Sequence, residues 1–104
     1  MKEIKGRKFF GYWDNMPYRD PTDSFKELSN IKNTISKDSV IKHIESLEKW
    51  ATSSPTYDIF TGERLQAGKY IDGDFTFPFD FLHYYKKYDI GIPVEYEEYL
   101  KTIL

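Results

Sequence analysis

Apolar residues recur at helical spacing from Ser36 to Trp50 (SKDSVIKHIESLEKW), where Val40, Ile44, Leu47 and the following Ala51 form a stripe that Ile41 widens. Ser36 is placed to cap the N-terminus, Asp38 lies in the first turn where the helix dipole favours an acid, and Glu45 and Lys49 make a supportive i, i+4 pair. A helix over about 36–51 follows, ended by Thr52 to Pro55 (TSSP). The period then drops to two. Residues 65–77 (LQAGKYIDGDFTF) predict a β-hairpin turning at Asp72-Gly73, a pair suited to a type I′ turn. That register sets Ile71 against Asp74, Tyr70 against Phe75 and Gly68 against Phe77, with Tyr70, Phe75 and Phe77 on one face and a ring able to lie over Gly68.

Pro78 has no N–H to give a ladder, and beyond it the period returns to about 3.6. Phe81, Leu82, Tyr85 and Tyr88 line one side of a helix over about 79–88, which Gly91 breaks. Pro93 opens a last helix to about residue 103, with Tyr96, Leu100 and Ile103 as its stripe. Towards the N-terminus, Phe9 to Trp13 (FFGYW) reads as a strand, Asp14 to Asp23 as a Pro- and Asp-rich loop, and Phe25 to Leu28 as one short helix. Tyr57 to Gly62 (YDIFTG) reads as a short extended piece closing in a turn. The expected fold is α+β: a small antiparallel sheet, including the 65–77 hairpin, packed against about three helices (36–51, 79–88, 93–103).

Composition shapes the core. At 104 residues the chain predicts a single domain, 1–104, with a modest apolar interior. Only 39% of residues are hydrophobic but 18% are aromatic, so Phe, Tyr and Trp rather than Leu and Val should fill that interior. A net charge of −2 argues against a phosphate-binding domain. The chain has no cysteine, which excludes disulfides and thiolate sites and fits a cytoplasmic protein. No segment approaches the roughly 20 apolar residues of a membrane span, so no membrane partner is expected.

Candidate chemistry is sparse. The two histidines, His43 and His83, fall on different helices without metal-binding spacing, so no metal or cofactor is expected. IDGDF resembles a calcium loop only until Phe75 and Phe77 occupy positions that need oxygens. No GxSxG or phosphate-cradling glycine motif occurs. Asp80 and His83 are three apart and could form a dyad in an aromatic pocket, the reading that would make this a small enzyme or ligand-binding domain; a surface histidine is the plainer account. Lys2, Lys5, Arg7 and Lys8 beside Phe9, Phe10, Tyr12 and Trp13 suggest a stacking platform for nucleic acid, or a solvated terminus feeding a buried strand.

The rings outnumber what one small core needs, and Tyr and Trp are the anchors that protein interfaces use. Tyr57, Asp58, Glu63, Asp72 and Asp74 around the turns are the expected partner contacts, with Trp13 and Tyr18 next, and their acids would steer a basic protein. The segments YDIFTGE, GKYIDGDFTFPFDFLHYYKKYDIGIP and EYEEYL, within residues 57–100, resemble small bacterial immunity proteins of contact-dependent growth inhibition systems. That resemblance implies a non-enzymatic role: binding a cognate toxin domain, often a nuclease, and blocking its active site. It transfers no fold and no site residue.

Overall fold

The computed structural model describes residues 1–13 and 20–104. Two short strands, β1 (Lys2–Ile4) and β2 (Arg7–Phe9), form an N-terminal hairpin. Its two turn residues both take the left-handed conformation a tight hairpin requires, Lys5 at φ 51° and Gly6 at φ 82°. Helices α1 (Phe25–Ser29) and α2 (Lys37–Ser46) follow, then strands β3 (Trp50–Tyr57), β4 (Arg64–Asp72) and β5 (Phe75–Pro78), and finally helices α3 (Phe81–Lys87) and α4 (Val94–Ile103). The five strands make one sheet in the order β1-β2-β5-β4-β3. No helix among the described residues is long and apolar enough to cross a membrane.

The α+β class holds, with one correction. The sheet is mixed, because β2 runs parallel to β5 while its other pairings are antiparallel. A parallel neighbour needs a long connection, and here the partners Lys8 and Phe75 lie far apart in sequence, beyond the reach of local pattern. The short helix expected at Phe25 to Leu28 is α1, closed by a full capping box between Ser24 and Glu27.

Helix α2 stops at Ser46 rather than running to residue 51, since Trp50 and Ala51 pair with Lys69 and Gly68 of β4. Sheet pairing thus overrides a local helical pattern. The TSSP segment lies inside β3, where the ladder jumps from Ala51–Gly68 to Pro55–Gln66 and leaves Thr52, Ser53 and Ser54 bulged opposite Ala67.

The β4–β5 hairpin keeps its expected faces but slips in register. Asp72 pairs with Phe75 and Tyr70 with Phe77, so the turn residues are Gly73 and Asp74. Gly73, at φ 59°, takes the first turn position, the glycine-first arrangement of a type II′ turn. Asp72 consequently joins Tyr70, Phe75 and Phe77 on the inward face. Backbone rather than a ring lies against Gly68: a Cβ there would sit 2.5 Å from the Trp50 carbonyl oxygen.

The inward face meets the helices in a core rich in rings. Phe10 stacks on Phe77 at 4.7 Å, Phe81 stands edge-on to Phe10 at 5.2 Å, and Tyr96 leans on Phe75 at 5.0 Å. Val40 and Ile44 of α2 and Leu100 of α4 complete the same cluster.

Candidate functional site

The chain buries a set of carboxylates, and each is surrounded by donors. Asp58 follows the last residue of β3. Its Oδ1 accepts from the amides of Phe60 (2.7 Å) and Thr61 (3.1 Å), while its own backbone closes the loop with Glu63 and Gly62. Its Oδ2 accepts from His83 Nε2 at 2.7 Å and the Tyr88 hydroxyl at 2.9 Å. Burial works to raise the Asp58 pKa, but the bonds from His83, Phe60, Tyr88 and Thr61 outweigh it and hold the value at about 2. The Tyr84 hydroxyl accepts from the Ile59 amide and is pushed up by burial.

Asp72 sits at the other end of β4, some eight residues or about 26 Å along the strand. Its inward position brings it to His43 Nε2 on α2 (2.8 Å) and to the hydroxyls of Tyr96 (2.7 Å) and Tyr99 (3.2 Å) on α4. Burial, then the hydrogen bond to the Asp72 carboxylate, drives the Tyr96 phenol far above its usual range. Glu97 makes a third cluster, accepting from the amides of Thr34 (2.7 Å) and Ile35 (3.0 Å) and from Asn33 Nδ2 (3.0 Å). Burial alone would raise it too, yet those bonds and Lys101 bring it down to about 2.

The expected contact residues therefore separate. Asp58 and Asp72 are buried hubs, and Trp13 is fully buried against Phe25, Phe81 and Tyr84. Tyr57 (53% exposed), Glu63 and Asp74 stay at the surface. Tyr57 and Glu63 share one end of β4 and Asp74 lies at the other, so they form no single patch. Tyr18 lies outside the described residues.

His83 takes its carboxylate from Asp58, 25 residues away, and not from the nearby Asp80. Asp80 is itself buried, and the rings of Phe81, Tyr84 and Tyr88 beside the two residues pack on other rings. Among the described residues, shallow depressions lie elsewhere, on the sheet: one is lined by Lys2, Ile4, Phe9 and Tyr12, another by Tyr12, Trp50, Ala67 and Lys69, and another by Ser53, Pro55, Arg64 and Gln66.

Sequence reasoning missed the role of His43 and the surface positions of Trp50 (50% exposed) and Phe60 (54%). Trp50 had a helical neighbourhood in sequence, and only the β3–β4 pairing places it on the sheet. No group of His, Cys, Asp or Glu among the described residues is arranged to hold a metal ion. No family model matches the chain, and neither the curated proteins nor the solved structures contain a significant match to it.

Proposed function

We propose that the chain is a non-enzymatic protein-binding domain, an immunity protein that binds and neutralises a cognate toxin domain. One observation carries the binding part of this reading: large apolar side chains stand half exposed on strands and turns, Trp50, Tyr57, Phe60, Ile71 and Ile4 among them. Anchors of that size are what protein interfaces bury at their centres. Asp58, Asp72 and both histidines, by contrast, are engaged in holding turns and helices to the sheet. The immunity role itself rests on the resemblance of residues 57–100. Of the contacts expected from sequence, Tyr57, Glu63 and Asp74 remain available to a partner.

The test is co-expression with the toxin domain encoded beside this chain. Growth should be restored in cells making the toxin, and the two proteins should copurify as a stoichiometric complex. Continued growth arrest together with separate elution would end the proposal.

A further inference from the structure

The helices cover one face of the sheet; on the opposite face, which Tyr12, Asp20 and Thr22 border, Thr76 and Pro78 are buried while other strand residues stay exposed. Strand pairing aligns Lys2, Phe9, Thr76 and Ile71 in one row across four strands. A second row sets Pro78, Lys69 and Trp50 side by side. At the spacing of paired strands, each row spans about 10–15 Å, and the two rows lie about 7 Å apart. Ile71 (39% exposed), Trp50 (50%) and Ile4 (47%) keep much of their apolar surface in water.

Every charged side chain that the strands themselves place on this face is a cation: Lys2, Arg7 and Lys69. Arg7 is held there by the Thr76 hydroxyl at 3.0 Å and the Gly73 carbonyl at 3.2 Å. Among the described residues, Asp20 lies beside the Phe9 depression and Asp74 in the turn. With those three cations set aside, the net charge of −2 becomes −5 for the rest of the chain.

We infer that this helix-free face is the docking surface, and that it takes a protein patch with an apolar centre and carboxylates around it. This rests on the binding function proposed above and fixes its surface and the sign of its partner. Complementary charges favour encounter with such a patch, and the aliphatic and aromatic side chains between them supply the area to bury. A single nucleic-acid strand fits less well. It wants a row of rings for its bases, whereas the middle of this face is occupied by Ile71 and Thr76 and the remainder of the protein repels phosphate. The corner carrying Tyr57 and Glu63 is the competing surface, since strand alternation turns Tyr57 to the opposite side of the sheet.

The probe is the neighbouring toxin domain, titrated against wild type, K2E/K69E, W50A and a corner variant, Y57A/E63K. Lys2, Lys69 and Trp50 are exposed, so their variants should unfold at the wild-type temperature. K2E/K69E should weaken binding about tenfold or more, with a flatter salt dependence, and W50A by a similar factor. The corner variant should bind within about twofold of wild type. Full binding by both face variants, or a larger loss in the corner variant, overturns the assignment while leaving the immunity reading intact. Binding of an oligothymidylate that K2E/K69E abolishes overturns the partner class. A wild type that binds no neighbouring domain removes the immunity reading and this surface with it.

Discussion

Both histidines end on a buried aspartate that tyrosine hydroxyls also reach, yet the two clusters hold different parts of the molecule. Asp58 draws two of its bonds from amides within the next three residues and the others from α3 and its C-cap, so it fastens one exposed corner. The Asp72 carboxylate accepts from side chains on α2 and α4, elements that reach it from 24 to 29 residues away. The first organises a turn; the second ties two helices to the sheet. Both acids are buried, so the difference lies in what each holds, amides of one turn in the first case and two separate helices in the second.

The sharpest way to break that comparison is to remove each acid. Asp72→Ala leaves the buried Tyr96 hydroxyl and His43 without their acceptor and should cost about 3–5 kcal/mol in urea unfolding. Asp58→Ala should cost about 1–3 kcal/mol, with faster amide exchange at Phe60 and Thr61 as its local signature. Equal losses would mean that the corner is as integral as the helix anchor.

The phenols offer a finer cut. Tyr96→Phe should lose about 1.5–3 kcal/mol and Tyr88→Phe about 1 kcal/mol. In an Asp72→Ala background the Tyr96→Phe loss should shrink towards zero, because the pair acts as one unit. Full additivity in that cycle would show the bond to be energetically idle.

Acid separates the amide-held carboxylates from the rest. Asp58 and Glu97 both have pKa values lowered to about 2, from ordinary values of 3.8 and 4.5. A depressed native pKa gives stability that is complete above the ordinary range and is lost as pH falls through about 4.5 towards 2. Unfolding midpoints should therefore be flat from pH 7 to about 5 and drop below it. Asp58→Asn and Glu97→Gln should each make that drop shallower, and an unchanged slope in both would contradict the assignment. The smallest effect is expected at the surface. Lys86→Ala breaks a 3.0 Å pair with Glu45 in which both side chains are about half exposed, and should shift stability by less than about 0.5 kcal/mol.

Much of the fold was legible because periodicity is local. The inward set Tyr70, Phe75 and Phe77, the α3 face and the Pro93 start of α4 all follow from spacing within a dozen residues. The exact turn was not, since Asp-Gly and Gly-Asp readings of IDGDF move the turn by one residue and the pairing by two, which places the same rings inward. That one step nevertheless moves Asp72 from the turn tip into the ladder, and with it the reading of that acid from contact to hub. The burial of Asp58 was hidden for a similar reason. Nothing near YDIFTG in sequence announces that His83 and Tyr88 will close over it. The open sheet face was invisible for want of strand order, because β1, β2, β5 and β4 contribute one residue each to its principal row.

The irregular stretch of β3 has one more consequence. This outer strand carries eight residues without a single charge, the sort of edge on which identical chains stack into fibrils. Its bulge bends the strand, and Pro55 cannot donate a hydrogen bond to an incoming neighbour. The stretches on either side are then shorter than the six or seven residues a steric zipper uses. Straightening β3, with Pro55 replaced and the bulge shortened, would leave an uninterrupted uncharged edge on which native copies pair.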